Sequence, residues 1–291
     1  MSSIFNEVSY NLILNESNLD PSDSNKSRYI FNFNSTKKLS NTKMALSSVN
    51  LFYSWFNVSS AFNNNSFSFT FTTGAGTATY NVTIPDGYYS VSDLNSYLQF
   101  FMINNGLYLV NGSGANIYYI ELVENASQYA LQLNCYPFPT ALPAGWTNPA
   151  GLTFPAVAST PQLIVPNTGF STWSGITSGT YPAVIQASTY SKISDTTPKT
   201  TPVESVLMRC NIIENRVSNP PDIIYSFSAS GVGFGNLIQS SPYEYLYLDV
   251  ADGYFSSLVI EFVDQQYRAI QINDSSVIIQ LSFKTLKQNS L

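Results

Sequence analysis

The sequence contains no histidine, the residue that most often acts as a general acid or base near neutral pH and that most often binds metals. Its absence excludes Ser/His and Cys/His nucleophile systems and most zinc sites. Carboxylate chemistry stays open, but no converging pair of acids is recognisable. No phosphate-binding loop, dinucleotide fingerprint or G-x-S-x-G sequence is present. We therefore expect no enzyme activity, with no catalytic residue, cofactor or metal site.

Two weaker stretches contain residue types that bind ligands elsewhere. Gly231, Gly233 and Gly235 form a glycine-rich run, but it lacks the GxGxxG spacing and opens no helix, which favours a loop. Four aspartates in the last predicted hairpins could hold Ca²⁺: Asp249, Asp252, Asp264 and Asp274. They lack the spacing of a known calcium loop, so turn formation is the favoured interpretation.

The overall charge argues against nucleic-acid binding, because the net charge is −6 and the pI is near 4.6. Five basic residues nevertheless fall in the acid-free span between Asp23 and Asp86: Lys26, Arg28, Lys37, Lys38 and Lys43. A solvated loop is the ordinary interpretation of such a cluster. The alternative is a face turned towards nucleic acid or towards acidic loops of an internal protein.

The composition indicates a surface that other protein covers. Charged residues make up 10% of the chain, against roughly 25% in an average globular protein. Aromatic residues reach 14%, and such residues are enriched in protein interfaces. No stretch is long and apolar enough to span a membrane, and no signal peptide is visible, so we expect assembly in the cytosol. Cys135 and Cys210 are therefore expected to be unpaired and buried.

One stretch, residues 84–106, predicts the single convincing helix of the chain. Ser90 is a good N-cap, and Asp93 occupies the capping-box position three residues later. Gly106 can close the helix in the left-handed conformation. Apolar residues recur at helical spacing between these ends: Val91, Leu94, Leu98 and Phe101. This stripe must pack on a sheet.

The remaining regular structure is predicted to be β. Alternating patterns indicate strands at 8–14, 28–34, 45–56, 66–73, 77–84, 116–123, 128–136, 205–213, 222–229, 245–250, 257–263 and 276–284. Short turns join most of them. The pattern predicts an all-β fold, an antiparallel sandwich or jelly roll, with one amphipathic helix.

The pattern changes at Pro137. Residues 125–191 carry no charge, and ten of the 15 prolines lie at 137–202. We expect this Pro/Gly-rich segment to be an insertion lobe outside the sandwich, because so many prolines remove the amide donors of central strands. A long mobile loop is the alternative. The predicted domains are a discontinuous jelly roll, 1–136 with 203–291, and an insertion at 137–202.

Three stretches resemble the minor capsid, or penton, proteins of virophages and Polinton-like viruses. They are residues 45–58 (ALSSVNLFYSWFNV), the turn and helix start at 84–98 (IPDGYYSVSDLNSYL), and the C-terminal hairpin at 257–284. Together they cover about a fifth of the chain closely, and residues 137–202 match nothing in that family.

The resemblance implies a single jelly roll that forms a homopentamer at the vertex of an icosahedral capsid. Its neighbours would be double jelly-roll major capsid proteins, its location the virion, and its place of assembly the host cytoplasm. The family carries no catalytic residues to transfer.

The alternative is a receptor- or carbohydrate-binding sandwich, as in a viral fibre or a lectin. Its stacking platforms would be Trp146, Trp173 or Tyr181, because aromatic faces are what such modules offer to a ligand.

Overall fold

The computed structural model describes residues 5–288 and is mostly β. The first nine strands are β1 (Phe5–Leu14), β2 (Arg28–Leu39), β3 (Thr42–Phe52), β4 (Ser66–Thr73), β5 (Gly76–Thr83), β6 (Leu109–Val110), β7 (Asn116–Ile117), β8 (Ile120–Asn125) and β9 (Ala130–Cys135). The others are β10 (Gln162–Val165), β11 (Gly179–Tyr181), β12 (Tyr190–Ile193), β13 (Val206–Cys210), β14 (Ile223–Phe227), β15 (Leu237–Ser240), β16 (Leu248–Asp249), β17 (Gly253–Asp264) and β18 (Ile278–Gln288). Two α-helices, α1 (Val91–Asn104) and α2 (Gly169–Ser174), and two short 3-10 helices, Glu16–Asn18 and Ala126–Gln128, complete the described elements.

The chain forms two compact units. The jelly-roll unit is Met1–Trp55 with Val203–Leu291, and the inserted unit is Phe56–Pro202. The inserted unit thus begins at Phe56, whereas the sequence analysis expects an insertion that begins at residue 137.

The jelly-roll unit takes its name from its strand order. One sheet runs β1-β18-β3-β15, with β16 also paired to β3, and the other runs β14-β13-β17-β2. The eight main strands of this unit, with β16 left out, can be numbered 1 to 8 in chain order. One sheet then has the order 1-8-3-6 and the other the order 5-4-7-2. That alternation between two antiparallel sheets defines a single jelly roll. The whole inserted unit occupies the connection between β3 and β13.

Alternating side chains on these strands form the core of the jelly-roll unit. Leu281 and Ile279 on β18, and Ile260 and Phe262 on β17, are fully buried. Tyr29 on β2 meets the Phe262 ring edge to face, with centroids 5.9 Å apart. The period of two in the sequence therefore marks the buried faces correctly.

The inserted unit has two larger sheets, β11-β10-β4-β5 and β12-β9-β8, and the small pair β6-β7. Phe67, Phe69 and Phe71 point into its core from β4, and Leu131 and Leu133 do so from β9. The predicted hairpins 66–84 and 116–136 are both present, as β4-β5 and β8-β9.

Helix α1 begins and ends as its sequence predicts. The Ser90 hydroxyl accepts from the Asp93 amide, while the Asp93 carboxylate accepts from the Ser90 amide. Gly106 has a φ of +67°, the conformation that a helix end requires. The buried stripe is Leu94, Leu98 and Met102. Val91 and Phe101 are only partly buried, because the buried face of the helix is centred on Leu94, Leu98 and Met102.

Residues 137–202 are ordered by pairing with earlier strands, which corrects their prediction as a separate lobe or loop. Strand β10 pairs with β4, and β12 pairs with β9. The segment also contains α2, a second helix that the sequence analysis does not predict. Its strands are four residues or fewer, too short for a periodicity signal, and they lie between the prolines.

Both cysteines are free and buried, as predicted. Cys135 lies on β9 and Cys210 on β13. Burial raises the pKa of each thiol to about 12, so both are neutral and unreactive near neutral pH.

Candidate functional site

A charged cavity of about 400 Å³ opens on the jelly-roll unit. Its walls come from β1, β3, β16, β18 and the connections that follow β13 and β16. Seven of its ten lining residues are charged: Glu7, Lys43, Glu214, Arg216, Asp249, Asp252 and Lys284. In a chain with only 10% charged residues, this concentration marks the cavity as a candidate interaction surface.

Opposite charges meet inside this charged cavity. Lys284 binds Glu7 at 2.8 Å, and Lys43 lies 3.4 Å from Asp249. The hydrogen bond to Glu7 raises the pKa of Lys284, which keeps that amine charged. These pairs are exposed, so each contributes little to folding. They remain available to exchange partners with a second charged surface.

The sequence analysis misses this cavity because strand pairing assembles it from distant positions. Lys43 on β3 is opposite Asp249 on β16 and also opposite Lys284 on β18. Glu7 enters from β1, which pairs with β18. Three of its residues stand out in the sequence, but in other groups: Asp249 and Asp252 among the aspartates considered for calcium, and Lys43 in the basic cluster.

Strand β1 is one edge of its sheet, so its outer backbone groups have no strand partner there among residues 5–288. Val8 and Ile13 on this strand are exposed. Tyr10 stacks on Phe283 at 5.0 Å, and the Lys37 amine lies 5.4 Å from the Tyr10 ring centre. A ten-residue edge with apolar side chains is suited to pairing with another strand.

A second exposed apolar surface lies on residues 241–247, between β15 and β16. Tyr243 is fully exposed, and Tyr245 and Leu246 are more than half exposed. Large apolar side chains left in water are typical of sites that a partner covers.

The five basic residues near the N-terminus do not share one patch of free charge. Arg28 pairs with Asp20 and Glu261, and Lys43 with Asp249. The Lys26 amine donates to the Asn273 carbonyl at 3.1 Å. Lys37 and Lys38 lie on β2 and contact the rings of Tyr10 and Tyr254. The cluster is thus bound largely by its own unit.

The four aspartates proposed for calcium are not gathered into one site. Asp249 and Asp252 line the charged cavity, whereas Asp264 is buried and binds Arg268 at 2.7 Å. Asp274 accepts the Ser276 amide in a tight turn. Within residues 5–288, no group of three or more metal-binding side chains comes together. The turn interpretation accounts for Asp274, and the glycine run 231–235 is a loop between β14 and β15.

The predicted stacking platforms are not open aromatic faces. Trp173 is 2% exposed and belongs to the core of the inserted unit. Trp146 is partly buried against the same core. The Lys192 amine lies 4.8 Å from the Tyr181 ring centre. Helix α2 spans only six residues, too few for a helical periodicity that would indicate the burial of Trp173.

Solved structures similar to this chain include the following two. A crystal structure of the mavirus penton protein shares 9% identity and a TM-score of 0.47, covering 98% of this chain and 100% of that one. A cryo-EM structure of the Sputnik virophage shares 9% identity and a TM-score of 0.39, covering 96% of this chain and 97% of that one. No family model and no curated protein matches the sequence. In the described part of the chain, no helix has the length and apolarity needed to cross a membrane.

Proposed function

We propose that this chain is a structural capsid protein, the pentameric vertex capsomer of an icosahedral virus. The observation that carries the proposal is the strand order of the jelly-roll unit, β1-β18-β3-β15 against β14-β13-β17-β2. Capsid proteins use this architecture, as do lectins and cupins. The sequence motifs at 45–58, 84–98 and 257–284, which resemble penton proteins, favour the capsid member of that set.

The surfaces of the jelly-roll unit support assembly. A closed ring joins each subunit to its neighbours through two different surfaces. The charged cavity offers paired charges that can re-pair across a contact. The β1 edge and the exposed residues of 241–247 offer backbone groups and apolar area. These surfaces are also suited to double jelly-roll major capsid neighbours.

The proposed location is the virion, with assembly in the host cytoplasm. Lys37 and Lys38, the basic pair of β2 with no ion-pair partner among the described residues, would provide weak contact with nucleic acid or an internal protein. No enzymatic role is proposed, since the two lysines of the charged cavity are held as cations in ion pairs with Glu7 and Asp249, and the sequence contains no catalytic motif.

The test is the mass of the purified full-length chain by light scattering and native mass spectrometry. We expect a particle five times the 32.1 kDa chain mass. Because charged surfaces contribute to the contact, Lys43→Glu combined with Lys284→Glu is expected to shift the protein towards monomer. The matched control, Lys192→Glu in the inserted unit, should leave the pentamer intact.

A stable monomer or trimer that binds a glycan array would contradict the capsid proposal and favour the receptor-binding sandwich. Purified particles in which the chain is missing from the vertices would also contradict it.

A further inference from the structure

A second cavity, of about 200 Å³, lies within the inserted unit and differs in chemistry from the charged cavity. Three tyrosines line it, Tyr88, Tyr89 and Tyr129, together with the acid Glu124. The remaining walls are Asn57, Ser90, Val91, Ala130, Pro198 and Thr200. We call this the tyrosine pocket. No basic side chain lines it, and Lys199, between two lining residues in sequence, is not among them.

Glu124 is exceptional among the carboxylates of the inserted unit. Asp86 accepts from Ser60, Asp93 from Ser90, Glu121 from Tyr136, and Asp195 from Thr177 and Lys192. Glu124 alone of these five has neither a hydrogen bond nor an ion pair within the described chain. Glu124 therefore brings an uncompensated negative charge to the lining of the tyrosine pocket.

The walls of the tyrosine pocket are held in place by one buried amide. The Asn57 side chain donates to the carbonyl oxygens of Tyr89 and Thr200, both at 2.8 Å. Its own carbonyl oxygen accepts the Tyr89 amide at 2.8 Å. The Tyr89 hydroxyl also donates to the Pro85 carbonyl. Two chain segments far apart in sequence are thereby joined, and the pocket is preformed.

Tyr129 holds an unfavourable backbone conformation at this pocket. Its φ is +50°, in the left-handed region that bulky residues rarely adopt, and its side chain is 76% exposed. Glycine would satisfy that conformation without strain. The backbone conformation of this turn therefore gives no reason for a large exposed tyrosine at position 129.

We infer that the tyrosine pocket binds an organic cation, an alkylammonium group presented by a small molecule or by a lysine side chain of a partner. Aromatic rings attract such cations through the negative charge on their faces. An unpaired carboxylate beside them adds Coulomb attraction, and no lysine or arginine of the pocket walls opposes it. An anion is disfavoured, because the nearby N-terminus of α1 is already capped by Ser90 and carries the Asp93 carboxylate in its first turn.

The experiment measures binding of choline to the full-length protein by saturation-transfer difference NMR. The neutral probe 3,3-dimethylbutan-1-ol has the same shape without the charge, and N-acetyl-lysine methylamide represents a protein side chain. We expect choline to bind with a dissociation constant in the millimolar range. The neutral isostere should bind at least about fivefold more weakly. A stronger response to the lysine probe than to choline would identify a partner side chain as the source of the cation.

Two variants locate the binding. Glu124→Gln and Tyr129→Ala should each weaken choline binding about fivefold. Their matched controls are Glu204→Gln and Tyr254→Ala, an exposed acid and an exposed tyrosine of the jelly-roll unit. Tyr129→Gly should also lose binding while raising the melting temperature, a combination that a purely structural role for Tyr129 would not produce.

Equal binding of choline and its neutral isostere would overturn the inference, as would undiminished binding by Glu124→Gln. Binding of methyl β-glucoside in the absence of any choline response would replace the cation with a sugar. None of these outcomes depends on the pentamer, so the capsid proposal can fail while this one holds.

Discussion

The two units are nearly equal in length but stabilise their polar groups differently. The inserted unit contains only seven of the chain's 30 charged residues: Asp86, Asp93, Glu121, Glu124, Lys192, Asp195 and Lys199. Its one ion pair among the described residues is Lys192–Asp195, whereas the jelly-roll unit has Arg209–Asp222 and Arg268–Asp264, both at 2.7 Å, among others.

Aromatic packing and neutral side-chain bonds replace charge in the inserted unit. The Phe138 ring contacts those of Phe71, Tyr119 and Phe154, with centroids 5.1 to 5.4 Å apart. Asn57 satisfies backbone groups that no strand reaches. Long connections leave many backbone groups without strand partners, and each buried one needs a bond from elsewhere. Low charge therefore marks an ordered, loop-rich unit here rather than a mobile segment.

The largest expected effect separates the two cores. Replacing residues 56–202 with a Gly/Ser linker should leave a folded jelly-roll unit, because its eight main strands all lie outside the excised segment. Replacing only 139–200 should unfold the rest of the inserted unit, because this removes β10 and the buried Trp173. Near-ultraviolet circular dichroism and dye binding distinguish the two products. If the variant that lacks residues 139–200 folded cooperatively to a native state, the domain boundary would lie near residue 137 after all.

The next effect tests the core of the inserted unit from its main helix. Leu98 is fully buried on α1, so Leu98→Ala should lower the free energy of unfolding by about 2–5 kcal/mol. Phe100→Ala on the same helix is the matched control, since Phe100 is 57% exposed. Urea unfolding measures both. Equal losses for the two variants would mean that α1 buries a different face.

A smaller effect tests the neutral bonds that replace charge. Asn57→Ala removes the partners of the Tyr89 amide and of two carbonyl oxygens, and should cost about 1–3 kcal/mol of unfolding free energy. The exposed Asn116→Ala should change it by less than about 0.5 kcal/mol. Thermal unfolding with urea titration provides the measurement. An unchanged Asn57→Ala protein would show that water replaces these bonds freely.

The smallest effect concerns the one ion pair of the inserted unit. The hydrogen bond from Lys192, with those from Thr177, lowers the pKa of Asp195 to about 2. A carboxyl whose pKa is lower in the folded state stabilises that state above its unfolded pKa, near 3.8. That stability is lost as the pH falls from about 4 towards 2.

Asp195→Asn should therefore show a shallower loss of unfolding free energy than wild type over this acid range, measured by urea titration at several pH values. The difference is modest because the pair is partly exposed. If the unfolding free energies of wild type and Asp195→Asn fell in parallel with pH, the pKa of Asp195 would be the same in the folded and unfolded states.

The sequence by itself determined the elements whose signals are local. The capping residues Ser90 and Asp93, the alternation on β4 and the turn glycine Gly106 all act over a few positions, so the helix and most strands were predictable. The unpaired cysteines and the all-β class followed from residue type.

Only the tertiary structure decided which strands meet, and so where the units divide and where the sites lie. Strand β10 pairs with β4 across more than ninety residues, and Asn57 bonds to Thr200 across 143. The charged cavity and the tyrosine pocket are assembled the same way, from segments with no shared motif. Such contacts follow from packing of the whole unit rather than from local propensity, because the short strands carry too little pattern to select their partners.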